Sequence, residues 1–158
     1  MSAPTLTGGL EDEVGDLYNR AVRERARKPR HSGRPPSFDV SARGDNPMCG
    51  DRVEVFANLD GDTIRDATFV ARGCDISVAS ADLMAEAVIG HTAADTSAMF
   101  ERFRHMVRTG ECPACDAAME QLHPLAGVHD YPSRLKCATL PWHALMAALD
   151  GQGSATSE

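Results

Sequence analysis

The chain has 158 residues, a net charge of -7, 42% hydrophobic residues and only 5% aromatics. That length gives one ordinary domain whose core rests on Ala, Val, Leu, Ile and Met. The acidic balance argues against general nucleic-acid binding, and no run approaches the roughly 18 apolar residues of a membrane span. The N-terminus carries no basic-then-apolar signal pattern, so a cytoplasmic protein is expected. In that setting five cysteines point to metal or redox chemistry before a disulfide framework.

In chain order, residues 1–9 read as a frayed start. Residues 10–27 place Leu10, Val14, Leu17, Ala21 and Val22 on one helical face, with Glu11, Asp12 and Glu13 in the first turn and Pro29 as a stop. From Arg20 to Arg34 there are seven Lys/Arg and one acid, either a solvated face or a docking surface for an acidic partner. A loop covers 30–36, and a short strand is expected over 38–41. The stretch Asn46-Pro47-Met48-Cys49-Gly50-Asp51 is turn chemistry. It leads into an alternating strand over 52–58, paired with a second over 63–71 through a turn at Asp60-Gly61.

Helices are expected over 76–89 and 93–107. The small residues Ser77-Val78-Ala79-Ser80-Ala81 in the first would let another backbone approach closely. A less regular stretch follows over 109–132. A last helix starts near Ser133, with a kink expected at Pro141. The domain spans 1–150, and 151–158 reads as a flexible tail.

The chemistry centres on three cysteines and one carboxylate. Cys49 and Asp51, with Gly50 between them, can turn toward one point at the root of the sheet. Cys74 stands just before a helix, and Cys137 stands in the first turn of another. The unpaired backbone N–H groups and positive dipole there favour thiolate, the form that ligates metal and attacks sulfur. Three sulfurs and a carboxylate suit tetrahedral zinc, or an iron–sulfur cluster with one replaceable position. A divalent ion with four anionic ligands leaves a local charge of about -2, which Arg52, Arg134 and Lys136 could offset. The plain alternative is that each cysteine is a buried small hydrophobe.

The stretch Asn46 to Asp51, then Phe69, Gly73-Cys74-Asp75-Ile76-Ser77 with Ala79-Ser80, and Pro132-Ser133-Arg134-Leu135-Lys136-Cys137-Ala138-Thr139-Leu140-Pro141-Trp142 closely resemble the IscU/NifU-like scaffold superfamily. Within it the chain is similar to the SufU branch. The segment between Cys74 and Cys137 is long, the stretch 122–131 with Leu125-Ala126-Gly127-Val128 looks like the SufU insertion, and Lys136 stands where IscU-type scaffolds carry histidine. The resemblance covers about 10–149.

It implies an α+β fold, a small antiparallel three-stranded sheet with helices packed on it. It implies zinc on Cys49, Asp51, Cys74 and Cys137. It also implies action with a PLP-dependent cysteine desulfurase of SufS type, from which Cys49 accepts persulfide sulfur for the downstream iron–sulfur assembly machinery. Cys49 must leave the metal to act, a desulfurase side chain replacing it. The alternative within the same resemblance is a scaffold that assembles an iron–sulfur cluster directly on these four ligands, against which Lys136 weighs.

Two features depart from the family. Arg25-Ala26-Arg27-Lys28-Pro29-Arg30 stands where the family's first helix usually ends in a His-Tyr and Asn-Pro-Arg type sequence, so partner contacts there are expected to differ. Cys112-Pro113-Ala114-Cys115 has no counterpart expected from the family. It reads as a redox or sulfur-relay dithiol, as half of a second zinc site with His123 and His129, or as two non-essential thiols. A zinc deaminase would need His-x-Glu ahead of Pro-Cys-x-x-Cys. Here the proline lies inside the pair and no His-x-Glu precedes it.

Overall fold

The computed structural model describes residues 19–47, 50–112 and 115–156. In chain order its elements are α1 (Arg20–Arg27), β1 (Val40–Asn46), β2 (Asp51–Asp60), β3 (Thr63–Arg72), α2 (Asp75–Val88), α3 (Ala93–Thr109), α4 (Ala117–Leu122), 3-10 segments His123–Asp130 and Pro132–Arg134, α5 (Leu135–Leu149) and β4 (Ser154–Thr156). The part of the first expected helix before Asn19 lies outside the described residues. Among the described residues, no helix is long and apolar enough to cross a membrane.

β2 is the centre of the sheet because both its faces carry apolar side chains. Val53, Val55 and Ala57 point to one face and are buried there opposite Ala71, Phe69 and Ala67 of β3. Phe56 points to the other face, where the Phe38 ring lies 5.0 Å away and the Arg34 guanidinium sits over both rings. The β2–β3 turn is two residues long, and Gly61 takes φ +63°, as the expected hairpin requires. β1 is longer than the short strand expected over 38–41. Its end residue Asn46 pairs with Asp51, the first residue of β2.

The sheet is not the antiparallel three-stranded one expected. It has four strands in the order β3-β2-β1-β4, and β4 runs parallel to β1, pairing Arg43 with Ser154 and Asp45 with Thr156. The cause lies in the close passage of α5 over β1. Gly44 leaves room there, since a Cβ would come within 3.0 Å of Leu140 and 3.3 Å of Ala144. Gly151, at φ +79°, then reverses the chain, with its N–H and that of Gln152 bonding to the carbonyls of Ala148 and Ala147. The next residues arrive at the open edge of β1, where Arg43 N–H donates to the Gly153 carbonyl at 3.0 Å. Ala155 packs with Ala42, Ala147 and Ala148. A stretch whose Gly/Ser composition reads as linker thus forms a strand because an unpaired edge lies beside it.

α2 and α5 pack on the inner face of the sheet, and α3 covers α5. Trp142 of α5 is stacked between Phe100 and Phe103 of α3, with ring centroids 5.6 and 5.0 Å away. On α2, Ile76, Ala79, Leu83, Met84, Ala87 and Val88 are all buried, and Ser77, Ser80 and Asp82 are buried with them. The less regular stretch over 109–132 contains α4 and the 3-10 segment His123–Asp130, which bury Met119, Leu122, Leu125 and Val128. A six-residue helix and a 3-10 run are too short to show a 3.6-residue repeat.

The basic segment around α1 is partly internal. Arg25 bonds to Asp82 at 2.8 Å and to Glu86 at 3.0 Å, and the fully buried Asp82 also accepts from the Arg30 and His31 N–H groups. Arg25 of the basic run therefore pins α1 to α2, and Arg30 also pairs with Glu86 at 3.7 Å. Three hydrogen bonds to these two carboxylates occupy the Arg25 guanidinium, so it is not a free docking charge.

Candidate metal centre

Three of the four expected ligands meet at one point. Asp51 begins β2, Cys74 is the N-cap of α2, and Cys137 is the third residue of α5. Their ligand atoms all lie within 4.8 Å of one another, and this is the group of three or more potential ligands found among the described residues. Asp51 and Cys137 are buried, and Cys74 is half-buried. The donors are two sulfurs and a carboxylate oxygen, a set that fits zinc or iron. Cys49 lies outside the described residues.

Backbone geometry fixes the carboxylate. Oδ1 of Asp51 accepts from the Cys74 N–H at 3.0 Å and Oδ2 accepts from Ser77 Oγ at 3.2 Å, while Cys74 Sγ stands 3.7 Å from Oδ2. Gly73 makes this approach possible, since a Cβ at that position would overlap Oδ1, and its φ is +150°. At the neighbouring hairpin, Gly50 takes φ +74° and its N–H donates to the Asn46 carbonyl at 2.8 Å.

Ser77 joins the two helices, a role that its place in a run of small residues does not reveal. Its one hydroxyl proton is shared between Asp51 Oδ2 and the Cys137 carbonyl, which lies 3.0 Å from Oγ. That carbonyl would ordinarily accept from the amide four residues on, but position 141 is proline and has no N–H. α5 continues through Pro141, so the freed carbonyl finds its donor across the helix interface. Ser80 repeats the contact one turn later on the Ala138 carbonyl. The signal was present in the sequence as Cys137 and Pro141 four apart, opposite a run of small residues.

The two thiols share one proton unevenly. Cys74 is lowered to about 6, chiefly by a hydrogen bond from the Cys137 thiol, with the Ser77 and Ile76 backbone N–H groups adding to the effect against the cost of burial. Cys137 is raised, first because its thiol donates to Cys74, then because it is buried and faces Asp51. The helix-terminus argument therefore describes Cys74, which caps α2, while for Cys137 burial and two acceptor neighbours outweigh it. Asn46 Nδ2 also faces the Cys137 sulfur at 4.0 Å. Arg52, expected to offset the site's charge, is exposed and pairs with Asp45 at 2.9 Å.

The Cys112/Cys115 pair lies elsewhere and is joined in a disulfide. The four-residue zinc set considered for it is not assembled. His129 hydrogen-bonds the Ala126 carbonyl at 2.9 Å and Asp130 at 3.2 Å, while His123 lines a cleft with both cysteines.

Residues 17–138 match the NifU-like N-terminal domain family. The chain is 34% identical over 143 residues to the iron–sulfur cluster assembly scaffold protein IscU of Streptococcus pyogenes serotype M1, covering 90% of this chain and 89% of that protein. It is 35% identical over 129 residues to the zinc-dependent sulfurtransferase SufU of Bacillus subtilis, covering 82% and 86%. Among solved structures it is similar, at TM-score 0.77 and 30% identity over 84% of this chain and 96% of the other, to a Fervidobacterium islandicum protein proposed as an assembly scaffold for the SUF system. With Asp51, Cys74 and Cys137 gathered on that fold, the chain belongs to the NifU-like N-terminal domain family, the IscU/SufU/NifU superfamily of iron–sulfur cluster assembly proteins.

Proposed function

We propose that this protein is a scaffold on which an iron–sulfur cluster, its substrate, is assembled on Asp51, Cys74, Cys137 and Cys49. The observation that carries the reading is the convergence of Asp51, Cys74 and Cys137 within 4.8 Å. Cys49 is added to the set from the sequence motif Cys49-Gly50-Asp51, on the resemblance to the family. The half-buried Cys74 beside two buried ligands suits cargo that must enter and leave. Its thiolate is formed at neutral pH, so iron meets an anionic ligand without a base. Asp51, held by two hydrogen bonds from α2, keeps its second oxygen aimed at the thiols. Sulfur would come from a PLP-dependent cysteine desulfurase and the product would pass to the downstream assembly machinery, in the cytoplasm.

A second reading is a zinc-bound sulfur acceptor of the SufU type, with Cys49 as the group that takes the persulfide. It is favoured by Lys136, by the relative from Bacillus subtilis, and by the compactness of the ligand set. Ligands about 2.3 Å from one tetrahedral ion stand only about 3.8 Å apart. Bound there, zinc would keep its thiolate ligands unprotonated.

Purification without oxygen or added metal separates the two. Brown protein carrying iron and labile sulfide, lost in Cys137→Ser, supports the scaffold. Colourless protein with about one zinc per chain rejects it for the sulfur acceptor, whose own test is loss of desulfurase stimulation in Cys49→Ala.

A further inference from the structure

The disulfide between Cys112 and Cys115 has no part in either reading. Its two residues are three apart in sequence and their Cα atoms are 5.2 Å apart. Cross-linking so short a loop removes little entropy from the unfolded chain, so stabilisation is a weak reason for the pair. The residues on either side are held by other means. Gly110 ends α3 at φ +79°, and the Glu111 N–H donates to Thr109 Oγ at 3.1 Å. After the pair, Asp116 caps α4 at Met119 N–H and bonds Arg102 of α3 at 3.1 Å. Opening the disulfide would therefore leave the two sulfurs side by side, at high effective concentration for closing again.

Both cysteines are half-buried and line an open cleft, with His123 beside the pair and His105 in the neighbouring cleft beside Cys112. Small solutes can reach the sulfurs through this cleft, which the His123 imidazole also lines.

We propose that Cys112 and Cys115 are a redox-active couple, separate from the metal centre, that exchanges two electrons with low-molecular-weight thiols. The thiolate of one such molecule attacks one sulfur of the pair. A mixed disulfide forms, the Cys112–Cys115 bond breaks, and the other cysteine leaves as thiolate and takes a proton. A second thiol molecule attacks the mixed disulfide on its non-protein sulfur. The products are the protein dithiol and one low-molecular-weight disulfide, the two protons coming from the two thiols consumed. The reverse sequence oxidises the protein.

The test uses the full chain under anaerobic buffers of reduced and oxidised glutathione, quenched with acid and a maleimide and read by peptide mass. The expected result is one reversible transition in which the peptide carrying both cysteines goes from no label to two labels, with a two-electron slope. Metal content and the labelling of Cys74 stay constant across it, so a failure of the proposed function leaves this readout intact. Cys115→Ser is expected to trap a glutathione adduct on Cys112 with an unchanged far-UV spectrum. A pair doubly labelled at every poise, or unlabelled under excess dithiothreitol, overturns the proposal. So does zinc uptake on reduction that shields both thiols, which would make the pair a metal ligand set.

Discussion

Two cysteine sites in one small chain are built in opposite ways. Cys74 and Cys137 lie 63 residues apart and meet only because α2 and α5 pack on the same sheet face, with Ser77 bonding from one helix to both the Asp51 carboxylate and the Cys137 carbonyl. Cys112 and Cys115 lie three residues apart and need only the chain between them. The first site depends on the core, so mutations that loosen packing should reach it. The second should survive them. What differs is the source of proximity, tertiary packing in one case and covalent connection in the other.

The widest contrast should appear in reactivity. In metal-free protein, alkylation of Cys74 by iodoacetamide is expected to rise with pH through about 6 and level off near neutrality, because its depressed value makes the thiolate the form present above that pH. Cys137, raised and buried, should stay unlabelled until the protein unfolds. Equal labelling of both at pH 7 would mean that the proton is not held as described.

In stability, Gly73→Ala should cost the most, about 2–4 kcal/mol, since its Cβ meets the Asp51 carboxylate at a backbone conformation that disfavours side chains. Urea unfolding measures the cost, and metal retention should fall with it while the Cys112–Cys115 couple titrates as before. Ser77→Ala comes next, at roughly 1–3 kcal/mol, because it strands a buried carbonyl that Pro141 has already deprived of its helical donor. Ser77→Thr, which keeps the hydroxyl, should recover part of it. The smallest effect belongs to the local site. Removing its cross-link by Cys112→Ser with Cys115→Ser should cost about 2 kcal/mol or less, the loop being so short. A larger loss in the thermal melt would mean that the disulfide holds α3 and α4 in place.

Much of the architecture is legible in the sequence. The alternation in β2, the Asp60-Gly61 turn and the span of α2 each follow from local periodicity or turn chemistry, and each appears where expected. Elsewhere the sequence pattern was silent or pointed the wrong way. β4 is the plainest case. Nothing in Ser154-Ala155-Thr156 marks a strand, and the fourth strand and its parallel direction arise because α5 passes close to Gly44 and releases the chain beside an unpaired edge. The charge around α1 is similar. A run of seven cations reads as one surface, yet Arg25 is drawn inward by Asp82 and Glu86 of a helix more than fifty residues away.

By itself, then, the sequence determined which residues carry ligand chemistry, Asp51, Cys74 and Cys137 among them, because residue type and the turn or helix start that holds it are local properties. Only the tertiary structure decided that these three meet within 4.8 Å, that Cys74 and not Cys137 carries the thiolate, and that Ser77 answers the carbonyl freed by Pro141. Distance, burial and the sharing of a proton are properties of neighbours, and neighbours far apart in the chain are fixed by the packing of α2 and α5 on the sheet.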